Sequence, residues 1–392
     1  MRVLVVHNRY SSRVPSGENL AVDDEVRWLR EAGVDVVRHE VSNDEIVSPG
    51  PLARARDGLE ATWSPVAGRT FGRVVDEVQP DVVHVHNLFP LLTASVPAAA
   101  RRRGVPVVWT VHNFRVRCVA GTHFRDGHPC NDCGPGYRLP GVVHRCYADS
   151  LSASALVSSA TSIYLTLARR RAIHPIAISG EIAGWLSSSA GFDDAAIRVK
   201  YNGVAPPAAT TTPEDRRNLL YVGRLSREKG VDLLLESWTR SSADAELHLV
   251  GDGPLAQEVR SAARADPRVV AWGQVTGAKV ASHIDRARAV VMPSVWREPF
   301  GRAAAEALAH GRPVITTGCG ASAEVVGTDA GWIVGTDVSA LSAALTEAAV
   351  DDAMVAAKGA AGRARHAALF SPGATTAALM AIYDEVTDVT GR

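Results

Sequence analysis

Two glutamates seven residues apart stand at the head of an alanine-rich stretch, EPFGRAAAE over 298–306. The spacing puts Glu298 in a loop ahead of a helix that opens at Phe300-Gly301, with Glu306 about two turns inside. Both can then face one ligand lying along the helix N-terminus. Backbone N–H groups there favour an anion such as a phosphate, and a buried carboxylate can accept from two vicinal hydroxyls of a ribose or a hexose. A second charged segment, GRLSREKG over 223–230, sets Arg224 and Lys229 in a glycine-bounded turn after an apolar run. A third group is Cys118, Cys130, Cys133 and Cys146, spaced C-x11-C-x2-C-x12-C, with His123, His128 and His144 nearby. A C-x2-C pair suits two thiolates on one tetrahedral zinc that flanking cysteines could complete, and four reduced thiols are the alternative. Cys319 stands alone and reads as a small buried residue.

These residues need strands and helices to hold them, and the chain supplies an alternation of both. Residues 3–6 form a short apolar strand. Val22, Val26 and Leu29 make a helical stripe over 20–31 that Gly33 ends, and a strand begins at Val34. Strands follow at 81–85 and 105–110, with a helix over 91–103 between them that Gly104 closes. The βαβ rhythm means a parallel sheet covered on both faces. It breaks over 205–217, a Pro/Ala/Thr stretch followed by charges. It then restarts with strands at 219–222, 247–250, 269–270, 289–292 and 313–316, and helices at 231–238, 255–265, 300–310 and 338–349. A last helix covers 372–389. Two doubly wound domains on either side of residue 205 are expected, with ligands at the carboxyl ends of their strands.

The 392 residues fit two domains. With 46% hydrophobic and 21% charged residues the chain can bury cores, which rules out disorder. Lys+Arg and Asp+Glu balance at 42 each, which argues against a dedicated nucleic-acid binder. No run of about eighteen apolar residues stands out, so no membrane span is expected. A cytoplasmic location is expected, with peripheral contact at the inner membrane face at most. The arginine clusters at 101–103 and 169–171 end helices, where cations complement the dipole.

The order of these segments resembles the retaining glycosyltransferases of the large GT-B group called family 4. Glu298 and Glu306 match its E-x7-E spacing, and GRLSREKG looks like its G-R-x-x-x-x-K-G loop. PVITTGCGASAEVV over 313–326 is similar to P-V-I-A-T-x-x-G-G-x-x-E, with Ala321 where the second glycine stands. GDGP over 251–254 and VAWG over 270–273 resemble the turns beneath the nucleotide base, and YNGV over 201–204 the signal that closes the first domain. Ser16-Gly17 stands where the family has two glycines, so Gly17 alone is carried over. The absence of G-x-G-x-x-G there argues against a dehydrogenase. TVHN over 110–113 resembles T-x-H-D, with Asn113 for the acid.

The resemblance implies an α/β GT-B fold, two facing Rossmann-like domains with parallel sheets and an interdomain cleft. An acceptor-side domain would span 1–205, with a Cys-rich insertion at 113–148. A nucleotide-sugar domain would span 206–371, and a final helix at 372–392 would cross back to the first domain. It implies a nucleoside diphosphate sugar donor, with a UDP-sugar favoured. Arg224 and Lys229 would hold the diphosphate, Glu306 the ribose hydroxyls and Glu298 the transferred sugar. Phe300, Gly301, Gly320 and Gly17 would also bind the donor. His112 would hydrogen-bond the sugar beside the reacting carbon. Two fixed cations can stabilise a pyrophosphate leaving group, so no cofactor is needed for catalysis, and the departing phosphate would act as base with retention. The acceptor would be a sugar, a lipid-linked species or a small molecule, in surface polysaccharide, glycoconjugate or secondary-metabolite synthesis. Cysteine-bearing insertions occur in some similar bacterial members, which fits a structural zinc. A nucleotide-sugar epimerase and a catalytically silent sugar-nucleotide-binding subunit are the alternatives. The joint presence of Arg224, Lys229, Glu298 and Glu306 argues against both.

Overall fold

The valine-rich segments are too short for helices and too apolar for loops, and in the computed structural model they are the central strands of two parallel sheets. The structure describes residues 1–12, 16–46, 58, 60–208, 211–213 and 216–389. Parts of the expected linker (209–210 and 214–215), the last three residues and the Arg171 side chain lie outside the described residues.

One unit comprises Met1–His123, Asn131–Gly203 and the chain from Thr375 onward. Its elements begin with β1 (Arg2–Arg9), α1 (Gly17–Glu31), β2 (Asp35–Ser42), α2 (Pro65–Val78), β3 (Val82–Val85), α3 (Ser95–Arg102) and β4 (Val107–Val111). A two-stranded hairpin, β5 (Phe124–Arg125) with β6 (His128–Pro129), belongs to the other unit. Then come α4 (Leu139–Val143), α5 (Leu151–Leu167), β7 (His174–Ala177), α6 (Gly180–Ala190) and β8 (Arg198–Val199). The sheet runs β2-β1-β3-β4-β7-β8, every pair parallel. Helix α1 starts three residues ahead of the periodic stripe because the Ser16 side chain caps it, accepting from the Asn19 N–H at 3.2 Å.

The other unit comprises Phe124–Cys130 and Val204–Ala374. Its elements are β9 (Asn218–Val222), α7 (Val231–Arg240), β10 (Glu246–Val250), α8 (Ala256–Ala265), β11 (Val269–Gly273), α9 (Gly277–Arg286), β12 (Ala289–Met292), α10 (Arg302–Ala309), β13 (Val314–Thr316), α11 (Ser322–Val326), β14 (Gly331–Ile333), α12 (Val338–Val350) and α13 (Asp352–Leu369). The sheet order is β11-β10-β9-β12-β13-β14, again all parallel. Val231, Leu234 and Trp238 of α7 lie on one buried stripe against this sheet. Each such side chain contributes about 1.5–3 kcal/mol on burial.

The last helix, α14 (Pro372–Val389), sends Leu379, Ile382, Tyr383 and Val386 into the core of the first unit, among Val3, Val26, Val82 and Ile176. Two features differ from the sequence reading. Residues 124–130, expected inside the first domain's insertion, group with the second unit. The helical stretch Leu151–Arg170 is, by length and composition, apolar enough to cross a membrane, with about a fifth of it buried. Its serines and threonines mask the run when apolar residues alone are counted. In the fold, α5 buries Ser154, Val157 and Leu165 within its unit.

Candidate active site

In an open parallel sheet, ligands bind where the strand order reverses, because the loops leaving the two central strands part there. In the second unit that point lies between β9 and β12. The loop after β9 carries Arg224 and Lys229, and the loop after β12 carries Ser294, Trp296 and Glu298. Glu298 is buried, and three donors converge on its Oε1: Lys229 Nζ at 2.7 Å, Ser294 Oγ at 2.6 Å and Trp296 Nε1 at 2.9 Å. The Lys229 ammonium also sits over the Trp296 ring, 4.6 Å from its centroid. Burial pushes the Glu298 carboxyl up, but the Lys229 charge and the three donors outweigh it and hold the group below the ordinary glutamate value. Among the described residues no donor is on Oε2, which leaves that oxygen to a ligand hydroxyl.

Two glycines let the loops come this close. Gly230 has φ +70°, and a Cβ there would lie 1.9 Å from the Pro293 carbonyl oxygen. Gly320 has φ +66°, and its Cβ would lie 2.4 Å from the Glu298 nitrogen. The 318–321 loop instead pairs with the Glu298 backbone: Glu298 N–H donates to Cys319 O and Ala321 N–H to Glu298 O. Gly320 is therefore needed to seat Glu298, a demand the sequence reading did not attach to it. Ala321, which replaces a glycine, keeps its backbone contact.

Arg224 is exposed, and its carbonyl accepts from the Tyr221 hydroxyl at 2.6 Å. Gly301, at φ +90°, caps the N-terminus of α10. Glu306 is paired one turn back with Arg302, whose Nε lies 2.8 Å from Oε1. Phe300 departs from its expected role. Its ring is buried edge-on against Phe370, with centroids 5.7 Å apart, so it serves the core and can offer a ligand only its backbone.

In the first unit the switch point lies between β1 and β3, and a chain of buried polar groups converges there and on the end of β4. His112, the first residue after β4, meets His86 Nδ1 through its Nε2 at 2.9 Å, and the rings stack. His86 Nε2 and His84 Nδ1 each lie 3.3 Å from Glu25 Oε1, while the Lys200 ammonium pairs with Glu25 Oε2. His84 is held further by the Tyr383 hydroxyl at 2.6 Å and Thr110 Oγ1 at 2.7 Å. Burial lowers His84 to about 4 and His86 to about 3, and takes His112 well below its ordinary value. Glu25 goes the other way from what burial favours, because the Lys200 charge keeps it ionised. Beside them, burial raises Glu18 to about 7; its carboxylate accepts from the Tyr10 hydroxyl at 3.1 Å and is hydrogen-bonded to Asn113. A carboxyl thus stands against the position where the resembled family has its acid. Gly17 opens α1 with an ordinary φ and open space at its Cβ position, so nothing local demands a glycine there.

Sulfurs on a tetrahedral zinc lie roughly 3.8 Å apart. Among the described residues, Glu25, His84 and His86 alone bring three ligand atoms within 4.8 Å of one another, and Lys200 already supplies the cation there. Of the cysteines expected to hold a zinc, Cys133 is buried and Cys118, Cys130 and Cys146 are partly buried. Cys130 follows the hairpin that groups with the second unit, whereas the other three belong to the first. Cys118 Sγ accepts from the His123 N–H at 3.4 Å, and Cys133 is buried beside Gly141.

Known proteins with this arrangement are transferases of sugars. Residues 16–206 match the family model described as Glycosyltransferase Family 4, and residues 216–351 the one described as Glycosyl transferases group 1. The structure of HepE from Anabaena in complex with UDP-glucose has a TM-score of 0.69 with this chain at 17% identity, covering 98% of this chain and 100% of that one. The two parallel-sheet halves are thus those of a GT-B glycosyltransferase. Glycogen synthase of Mycobacterium tuberculosis is 27% identical over 405 residues, 93% of this chain and 90% of that protein. An uncharacterised glycosyltransferase of Methanocaldococcus jannaschii is 28% identical over 150 residues; the match takes in 33% of this chain and spans only 38% of that relative's length. The chain belongs to the group 1, family 4 glycosyltransferases.

Proposed function

We propose that the protein transfers a sugar from a nucleoside diphosphate sugar, a UDP-sugar by preference, to an acceptor hydroxyl with retention of configuration. The observation that carries this reading is the meeting of Lys229 and Glu298 at the switch point of the second unit, with Arg224 exposed on the same loop as Lys229. Lys229 and Arg224 supply positive charge for a diphosphate, and Glu298 Oε2 accepts from a hydroxyl of the transferred sugar. Glu306 and its partner Arg302 border the same helix start and serve the ribose. HepE, bound to UDP-glucose in its own structure, supports uridine as the base.

In the proposed reaction the bond from the anomeric carbon to the β-phosphate oxygen breaks, and charge grows on the leaving diphosphate beside the two cations. The acceptor oxygen bonds to the same face of that carbon, and its proton passes to the departing phosphate. His112, neutral at the end of β4, marks the acceptor side in the first unit. The cations do this work without a cofactor, and the setting is assembly of a surface glycan, a glycoconjugate or a glycosylated small molecule in the cytoplasm. The test is a thermal shift of the full chain with UDP, GDP and dTDP. UDP at a hundred times its Kd should add about 2.7 kcal/mol, and Arg224→Ala should remove most of the shift. A chain that no nucleotide stabilises, or whose shift survives Arg224→Ala, refutes the reading.

A further inference from the structure

One cavity of the first unit is unused by the donor chemistry. Its interior measures about 100 Å³, on the order of an apolar cavity that holds a single benzene ring. Its walls are apolar and aromatic: Trp109 from β4, Phe89 from the loop after β3, and Val157, Ala160, Tyr164 and Leu165 from one face of α5. Hydrogen-bonding groups line it too, and they come from other segments, with Glu18, His112, Asn113 and Arg115 among them.

Two features say what kind of ligand this shape suits. The first is a wall of aromatic rings: Trp109 and Tyr164, which both line the cavity, meet edge to face with centroids 4.5 Å apart. Such walls favour a flat ring, through stacking and edge contacts, over a saturated chain. The second is the Tyr164 hydroxyl, which is shut off from solvent and has no hydrogen-bond partner among the described residues. A buried hydroxyl normally finds one. Burial raises the Tyr164 pKa well above its ordinary value, so the group keeps its proton and can donate.

We propose that this pocket receives a planar aromatic ring carried by the acceptor, with a polar substituent on the ring that hydrogen-bonds Tyr164 while the acceptor's sugar or hydroxyl stays with His112 and Arg115. The proposal rests on the reading that His112 marks the acceptor side of a glycosyltransferase. It narrows the acceptor from any hydroxyl compound to an aryl glycoside or a phenolic aglycone.

The test is calorimetric titration of the full chain with glucose, phenyl β-glucoside, 4-hydroxyphenyl β-glucoside and dodecyl β-glucoside, with UDP titrated separately into every variant. Phenyl β-glucoside should bind about tenfold more tightly than glucose. Ala160→Trp, which fills the pocket from α5, should abolish that preference. Tyr164→Phe should weaken 4-hydroxyphenyl β-glucoside about fivefold and leave phenyl β-glucoside unchanged. Equal binding of glucose and the aryl glucosides, binding of none of them, or a preference that survives Ala160→Trp overturns the proposal. Tightest binding by dodecyl β-glucoside overturns it in favour of a lipid-linked acceptor. UDP binding is the control. If it persists in both variants, the protein is folded and the donor reading stands whatever the pocket does. If the wild-type chain binds no UDP but keeps its Ala160-dependent aryl preference, the donor reading fails and the pocket stands.

Discussion

Replacing Lys229 with methionine should destabilise the second unit and reverse how that unit responds to pH. The ion pair spans 2.7 Å, with side-chain exposures of 28% for Lys229 and 5% for Glu298. At an effective dielectric of 20 the gross attraction is about 6 kcal/mol, and desolvation of both ions takes back much of it. Exposed pairs are worth at most about 1 kcal/mol, whereas breaking a buried one costs roughly 3–5. With one partner buried and the other about a quarter exposed, Lys229→Met should cost about 3 kcal/mol. Glu298→Gln should cost about 2, because Ser294 and Trp296 still find an acceptor. If the pair accounts for most of this, the double variant loses only about 2–3 kcal/mol, a coupling of about 2–3 rather than zero. Urea-dependent hydrogen exchange of peptides covering β9 and β12 reads the second unit alone. The pH sign supplies a second readout. In the wild type the folded Glu298 pKa is depressed, so its stabilisation is present above the unfolded value of about 4.5 and is lost as pH falls through the folded pKa. Without Lys229, burial is left as the dominant influence and the pKa rises, so Lys229→Met should lose stability as pH climbs above 4.5. A coupling below about 0.5 kcal/mol, or parallel pH curves for wild type and Lys229→Met, refutes the account of what holds Glu298.

Arg224→Ala removes an exposed side chain, so stability should change by less than about 0.5 kcal/mol, while sugar transfer measured by UDP release should fall about 10²–10³-fold. Gly320→Ala forces a Cβ against the Glu298 backbone at a left-handed φ and should cost at least about 2 kcal/mol together with transfer. Gly277→Ala, where nothing lies within 4 Å, is its control, and equal melting temperatures for the two would rule out the steric account. In the first unit, His7, His84, His86 and His112 are all lowered from 6.5. Their stabilisation is present above 6.5 and is lost as pH falls toward their folded values, at up to about 1.4 kcal/mol per pH unit for each. Glu18, raised to about 7, acts in the opposite sense between 4.5 and 7, but it is one group against four. Hydrogen exchange of β1 and β3 peptides should therefore show a less stable first unit at pH 5 than at pH 7, and unchanged protection would contradict this.

Local features of the site were legible because they are written in short segments. The turn at Phe300-Gly301, the glycine-bounded loop at 223–230 and the strands that carry them each lie within about ten residues, and propensity and periodicity act at that range. What escaped depends on strand order. Glu25 and Lys200 are 175 positions apart and His84 and Tyr383 are 299 apart; they meet because β1, β3 and β4 are neighbours and α14 packs beneath them. One signal was available: His84 and His86 alternate with Val83 and Val85 in a strand buried on both faces, so neither histidine could be solvated. The Phe300 ring is a related case. An aromatic beside a glycine at a helix start looks like a ligand contact until Phe370, 70 residues on, is seen to cover it.

The two units solve opposite electrostatic problems with similar residues. In the second, Glu298 stays ionised because Lys229 compensates it, and the net charge around it is near zero until an anion arrives. In the proposed reaction a diphosphate would find Lys229 already fixed, with the cost of orienting it met on folding. In the first, the buried pair of Glu25 with Lys200 faces His84 and His86 rather than the end of β4. If His86 Nε2–H faces Glu25, then His86 Nδ1 is an acceptor, and His112 must present Nε2–H to it. His112 Nδ1 is left as an acceptor and the ring stays uncharged. In the proposed reaction, positive charge on the anomeric carbon would be opposed by an imidazolium and is not opposed by a neutral ring. Burial of His112 and the ionised Glu25 behind His86 act together here. They keep a basic side chain at the end of β4 and keep the proton off it.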